Sequence, residues 1–284
     1  MSLDEAGRLY ADARAAAERL HDPIQLASVT FAYGSTAFWR GAVRDAFDLY
    51  LEAARLSDQT DDPEAQAGYW TPPALVYSWV GPVSEGLRAT KRAVGLCGGN
   101  ADVGVGVLSF SPLSALGVGL AGLLSFGGRL EEARVALDQG LAIARERADA
   151  EWIAWTLSVY SRLARTPDEF EASLERAHEA VGVAEDSGNT SAHVLALEAV
   201  GEAQIGLGRF SDAAVTIEQA LVEARQRQIA LFEEARLLLH LARSHLGCGD
   251  RDVARGTASE AVEAPVARER RSWSVSPFSP GRGY

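Results

Sequence analysis

Residues 121–140 read AGLLSFGGRLEEARVALDQG. Gly127 and Gly128 interrupt an apolar helical segment, and the Arg-Leu-Glu-Glu-Ala that follows begins a second helix. Small residues at Ala121, Ala133 and Gly140 leave room for the two helices to cross closely. The stretch therefore predicts a helical hairpin.

The spacing of these small residues recurs along the chain. Relative to Gly128 they lie seven residues before, five after and twelve after. Six copies of this frame follow one another. A single match could arise by chance, but six consecutive matches predict a repeat array. The reference positions are Gly41, Gly81, Gly128, Arg165, Gly208 and Gly249. The small residues of the other copies are Gly34, Ala46 and Ala53; Ala74, Gly86 and Ala93; Ser158 and Ala177, with Phe170 as a misfit; Gly201, Ala213 and Ala220; and Ala242, Ala254 and Ala261.

This frame resembles the tetratricopeptide repeat, in which small residues mark where the first helix of a repeat meets the second and where the second meets the next repeat. The reference positions are 37 to 47 residues apart, so the repeats are longer than the usual length of about 34. Trp70 and Tyr77 occupy the aromatic positions of one first helix, whereas Thr30 and Gly117 stand where Trp70 does in two others. The resemblance implies an all-α fold, a right-handed α-solenoid of about six tetratricopeptide-like hairpins.

The frame also predicts the domain organisation. Residues 1–22 are expected to form a half-repeat, an unpaired helix, because Ala6 and Ala13 fall on the second and third small positions. The solenoid is expected over residues 23–264. Since the pattern stops after Glu263, residues 265–284 are expected to be a disordered or artefactual tail. We interpret the chain as a fragment of a longer protein whose unpaired helix is open to self-association.

Composition narrows the class of function. The chain has 284 residues, 47% of them hydrophobic, and a formal net charge of −12. A body this acidic repels phosphate backbones and anionic lipids, so we expect neither nucleic acid nor membrane as a partner. Cys97 and Cys248 are far apart and are both expected to be buried. Their spacing indicates neither a disulfide framework nor a metal site, which fits a cytoplasmic protein.

One segment leaves a membrane alternative open. Residues 103–128 contain no charged residue, as in a transmembrane helix. The segment also contains Pro112 and several glycines and serines, and residues 115–126 fit the frame as a first helix. A buried helix is therefore favoured over a membrane span.

No arrangement of residues in the sequence points to catalysis, a cofactor or a metal. The only lysine, Lys91, is followed by Arg92, so the chain lacks a P-loop. His240 and His245 are five residues apart, a poor spacing for a shared zinc on a helix. Acidic pairs such as Glu131-Glu132 and Glu233-Glu234 are interpreted as solvated helix faces. We therefore predict a non-enzymatic protein with no catalytic, cofactor-binding or metal-binding residues.

A solenoid of this type presents its concave surface, lined by the first helices, to a protein or peptide segment. Aromatic and arginine side chains anchor such interfaces. Taken singly, each aromatic residue is expected more often in the core than in the groove, because apolar residues at helical spacing are usually core. The residues that the frame places in the groove are Phe31, Phe38, Trp39, Trp79, Trp152, Trp155, Arg162, Arg236 and Arg243, with Thr71, Glu198 and Glu202 beside them.

Three longer phrases, within residues 111–149, 188–225 and 234–263, resemble the C-terminal repeat region of large bacterial regulators. Those proteins join a class III adenylate or guanylate cyclase to an AAA-type ATPase. The resemblance implies a protein-interaction or effector-sensing segment of a signalling protein and transfers no catalytic residue. A stand-alone scaffold, or the repeat arm of an ATP-dependent transcription activator, is the alternative.

Overall fold

The computed structural model describes residues 3–275, and all the regular elements within this range are helical. The helices are α1 (Leu3–Leu20), α2 (Pro23–Trp39), α3 (Val43–Ser57), α4 (Pro63–Val80), α5 (Val83–Cys97), α6 (Val105–Leu108), α7 (Pro112–Phe126), α8 (Leu130–Glu146), α9 (Ala150–Val159), α10 (Pro167–Ser187), α11 (Thr190–Gly206), α12 (Phe210–Arg227), α13 (Glu234–Cys248) and α14 (Arg251–Val275). Two 3-10 turns, Tyr160–Leu163 and Leu231–Glu233, follow α9 and precede α13.

Six hairpins succeed one another along the chain: α2–α3, α4–α5, α7–α8, α9–α10, α11–α12 and α13–α14. Each pair is packed along its length, and successive first helices also contact each other, as α9 contacts α11 and α11 contacts α13. The prediction of an all-α helical repeat solenoid is confirmed. We call the surface formed by the first helices the inner face.

Polar caps set where several helices begin. Asp22 and Asp62 each accept hydrogen bonds from two backbone N–H groups of the first turn, and a proline follows each of them. Thr166 and Glu169 form a capping box at the start of α10. These side chains satisfy backbone donors that have no partner within the helix, so they fix where these helices begin.

The small residues of the frame lie at the helix crossings. Ala121 and Ala133 are fully buried, as are Ala46, Ala53, Ala213 and Ala220 in other copies. A Cβ atom added to Gly117 would lie 2.8 Å from the carbonyl oxygen of Ala136 and 3.1 Å from Cα of Gly140. Backbones this close leave no space for a side chain, which explains why the hairpin at residues 121–140 needs small residues.

The reference glycines close the hairpins in two ways. Gly41, Gly128, Gly208 and Gly249 have φ between 71° and 94°, the left-handed region that glycine enters without strain. Gly81 is extended instead, with φ −115° and ψ 172°. Pro82 follows it, and a residue before proline is driven out of helical conformations, so this turn is made differently.

The uncharged segment is a buried first helix. Within residues 3–275 no helix is long and apolar enough to cross a membrane, and α7 has only 15 residues. It packs against α4, α5 and α8. The expectation that both cysteines are buried is wrong for Cys248, which is exposed at the end of α13, whereas Cys97 is buried.

The first and last helices, α1 and α14, lie at the two ends of the predicted solenoid. Helix α1 packs on α2 and also touches α14, while Leu9 and Leu20 are 57% and 68% exposed. Helix α14 continues to Val275, beyond Glu263 where the repeat pattern ends. The extension contains Pro265, which removes one helix hydrogen bond, but the alanine, arginine and glutamate residues after it are strong helix formers, and the end of the pattern is not the end of the helix. Residues 276–284 of the predicted tail lie outside the described residues.

The α7–α8 crossing gives a stability prediction. Gly117→Ala is expected to lower the free energy of unfolding by about 1–3 kcal/mol, because its methyl group meets backbone atoms that cannot move separately. Gly182→Ala is the matched control. No atom lies within 4 Å of the methyl group that it adds inside α10, so it should be neutral or stabilising by up to about 1 kcal/mol. Urea denaturation of both variants measures the difference, and equal effects would contradict the close crossing.

Candidate functional site

Five aromatic side chains from distant hairpins meet on the inner face. Phe38 and Trp39 come from α2, Trp79 from α4, Trp155 from α9 and Phe232 from the turn before α13. Phe232 stacks on Phe38 with ring centroids 4.3 Å apart, and its centroid lies 5.6–5.9 Å from those of the three tryptophans. We call these residues the aromatic cluster. It joins the first hairpins to the last and so spans the inner face.

Next to the aromatic cluster lies a set of buried charges, which we call the charge cluster: Arg162, Glu198, Glu233 and Arg236. Nε of Arg236 is 2.5 Å from Oε1 of Glu198, and the same guanidinium pairs with Glu233. Arg162 lies 3.6 Å from Glu198 and 3.4 Å from Glu233. The indole of Trp79 donates a hydrogen bond to Glu233, which connects the two clusters.

Both carboxylates of the charge cluster are only 2% exposed. Burial raises the pKa of Glu233 to about 6, against the opposing effects of the Arg162 guanidinium and the Trp79 hydrogen bond. Burial and the nearby Glu233 carboxylate together raise the pKa of Glu198 well above its usual value. Removal from water disfavours the ionised form of an acid, so the two arginines are needed to hold these groups in place.

A buried histidine, His240, lies beside the charge cluster. It is 4% exposed, and its Nδ1 has no hydrogen-bond partner within the described chain. Burial, followed by Arg243 and Arg162, lowers the pKa of His240 to about 3, so the ring is neutral at pH 7. Ligand atoms of Glu198, Glu202 and His240 lie within 4.8 Å of one another.

These three residues could hold a divalent cation, since imidazole and carboxylate are common ligands. However, Glu198 is already paired with two guanidinium groups, and Glu202 accepts a hydrogen bond from Ser161 at 2.8 Å. The local charge is therefore largely balanced without an ion. The arrangement is better suited to internal ion pairing and to polar recognition than to metal chemistry.

The structure brings most of the groove residues predicted from the sequence into one region. Phe31, Trp152 and Trp155 line a cavity beside the aromatic cluster, and Arg162 and Arg236 belong to the charge cluster. Arg243 lies on the same side of α13 as Arg236 and His240, by helical spacing, and is exposed. That these residues bind a partner remains a prediction.

Sequence reasoning missed Phe232 and misjudged Glu233 and Glu234. The interpretation of this acidic pair as a solvated helix face is wrong: the two residues are 2% and 4% exposed. Glu234 is paired with Arg225 at 2.7 Å. Arg236, three residues after Glu233, was the available signal, because residues at that spacing share a helix face. The pair Glu131-Glu132 does lie on a solvated face.

Comparisons with solved structures agree with the fold. A Rap protein complexed with Competence and Sporulation Factor superposes with a TM-score of 0.62 at 16% sequence identity, covering 88% of this chain and 75% of that one. Aspartyl phosphate phosphatase F from Bacillus subtilis gives 0.58 at 10% identity, covering 91% and 74%. A putative kinesin light chain from Podosopora anserina with TPR-like repeats gives 0.47 at 16%, covering 75% and 99%. No protein-family model and no curated protein matches the sequence.

The contact of Phe232 with the aromatic cluster gives a prediction. Phe232→Ala should lower the free energy of unfolding by about 3–5 kcal/mol, since an 8% exposed ring is removed from between four others. It should also shift the tryptophan fluorescence to longer wavelength as Trp79 and Trp155 gain water. Phe126→Ala is the control, because that ring is 69% exposed and far less should change. Equal behaviour of the two variants would show that the aromatic cluster does not bridge the hairpins in solution.

Glu233 gives a prediction about pH. Its pKa in the folded state, about 6, lies above that of an unfolded glutamate, about 4.3. The folded state therefore retains a proton that the unfolded state loses, and this contribution to stability disappears as the pH rises through about 6. Glu233→Gln cannot ionise, so its free energy of unfolding relative to wild type should rise by about 2 kcal/mol between about pH 4 and pH 7.

Urea denaturation across this pH range measures that difference. Glu131→Gln, at an 87% exposed side chain, is the control and should show no such trend. A difference between Glu233→Gln and wild type that stays constant, or that falls as the pH rises, would mean that the arginines outweigh burial at Glu233.

Proposed function

We propose that this chain is a non-catalytic binding protein that recognises a polypeptide segment on the inner face of its solenoid. The observation that carries the proposal is the set of accessible tryptophan and arginine side chains on the inner face: Trp39, Trp79, Arg162, Arg236 and Arg243. Phe38, Trp155 and Phe232 are buried and support them from below. Interfaces are anchored by these side-chain types. A repeat solenoid supplies the extended concave surface on which such anchors act together.

The exposed chemistry of the inner face indicates the kind of segment. Arg243 is exposed, and the side chains of Arg162 and Arg236 keep 23% and 26% of their surface accessible. Trp39 and Trp79 are partly exposed beside them. A segment that carries an aromatic or aliphatic residue next to an acidic one would satisfy both surfaces. The acidic body of the chain would repel such a segment elsewhere.

The structural comparisons support the proposal only through the fold. One solenoid of similar fold was solved with Competence and Sporulation Factor bound, so a scaffold of this shape accommodates a binding partner. At 16% identity the residues that contact a partner do not carry over. The specificity proposed for this chain rests on its own arginine and tryptophan side chains.

The wider role follows from the resemblance of the repeat phrases to bacterial regulators. We infer that recognition on the inner face reports to a signalling module such as a cyclase or an AAA-type ATPase. A scaffold that acts alone and the repeat arm of a transcription activator remain the alternatives. The cytoplasm is the location that fits this role.

Selection from a phage-displayed library of random peptides tests the proposal. Enriched peptides should combine an apolar with an acidic residue. Trp39→Ala and Arg243→Ala should each weaken binding of a labelled synthetic copy about tenfold or more, measured by fluorescence anisotropy. Arg227→Ala is the control, since Arg227 is an exposed arginine at the end of a second helix.

Circular dichroism must first show that the variants fold. Peptides that bind all three variants equally would place the site elsewhere on the chain. Failure to enrich any peptide would count against recognition of a polypeptide.

A further inference from the structure

A cavity of about 100 Å³ lies between α2, α4 and α9, next to the aromatic cluster. Seven of its lining residues are aromatic, among them Phe38, Trp39, Trp152 and Trp155. Most of the lining is buried. A ligand would enter past the lining residues that keep part of their surface exposed: Phe31, Ser35, Trp39, Phe110 and Glu151. The volume is about two thirds of that of an engineered cavity, about 150 Å³, that holds one benzene molecule, and the cavity is open on one side. It therefore suits a compact group of a few heavy atoms and not a bulky ligand.

The charged lining of the cavity is acidic. Glu151 is its only acidic residue, and none of its lining residues is a lysine or an arginine. Burial, and then the neighbouring Asp149, raise the pKa of Glu151, while a hydrogen bond from Asn189 opposes them. A carboxylate in such surroundings is stabilised by a positive charge close to it. The aromatic faces attract cations as well, because each ring carries negative charge density on its face.

The two buried tryptophans also lack hydrogen-bond partners. Nε1 of Trp152 and Nε1 of Trp155 are inaccessible to solvent and have no acceptor within the described chain. The two residues are 3% and 4% exposed, and both line the cavity. A buried N–H without an acceptor is costly. Because neither nitrogen has accessible surface, neither can be reached from the open part of the cavity, so these tryptophans offer their rings and not a donor to a ligand.

We propose that this cavity binds the head group of a small quaternary ammonium compound, of the choline type. The methyl groups of the ammonium pack against the aromatic rings, and Glu151 balances its charge. Aromatic cages recognise quaternary ammonium ions in this way. The inference does not rest on polypeptide recognition, because it is argued from the cavity and its one carboxylate; the two sites share Trp39, whereas Arg243 and the charge cluster stay free.

Choline and its neutral carbon analogue, 3,3-dimethylbutan-1-ol, provide the test, since they share shape and hydroxyl group and differ in charge. Isothermal titration calorimetry of the full chain should give a dissociation constant for choline in the millimolar range or below. The neutral analogue should bind about tenfold more weakly or worse. Tryptophan fluorescence should change on choline binding, because Trp152 and Trp155 line the cavity.

Glu151→Gln and Glu175→Gln form the matched pair of variants. Glu151→Gln should weaken choline binding about tenfold and leave the analogue unaffected, whereas Glu175→Gln, at an exposed glutamate of α10, should change neither. Equal affinity of the wild-type chain for the two compounds would show that the cavity does not recognise positive charge, and would overturn the proposal. So would the absence of choline binding up to about 10 mM. The wild-type comparison decides the question even if Glu151→Gln does not fold.

Discussion

The close crossing of paired helices is the constraint on which the rest of this structure depends. At the α7–α8 crossing, Gly117 and Gly140 bring two backbones so near that a single methyl group would meet a carbonyl oxygen. Fully buried alanines such as Ala133 and Ala213 play the same part in the other hairpins. Because the two helices of each hairpin are close at their crossing, successive hairpins stack tightly. Their first helices then lie together on the same side of the solenoid. The inner face exists only because these crossings are tight.

The curvature that results joins residues that are far apart in the chain. Phe38 in the first hairpin stacks on Phe232 just before the last first helix, and α1 touches α14. In many solenoids each repeat contacts only its neighbours. Here the aromatic cluster adds a direct contact across the inner face, so the outer hairpins are coupled to each other. A binding event on this face would act on both ends of the array.

The charge cluster lies directly beside the aromatic cluster on the inner face. Burying Glu198 and Glu233 costs free energy that Arg162 and Arg236 offset. Such groups rarely add net stability compared with an apolar core, and one known use of them is to fix a unique arrangement. Trp79 donates to Glu233 and also packs on Phe232. Packing of the aromatic cluster and placement of the charges are therefore one arrangement.

The sequence by itself determined the fold class and the succession of helical hairpins. Those features are local: small residues at fixed spacing, caps such as Thr166, and turn glycines such as Gly128 act within one or two helices. Only the tertiary structure decided that Phe232 crosses to Phe38, that Glu233 is buried, and that His240 lies beside Glu198 and Glu202. These contacts depend on the cumulative curvature of six hairpins, and small rotations at each crossing add up to it. Periodicity along the chain carries no record of that sum, so it predicts the helices and their close crossings and not which distant residues meet.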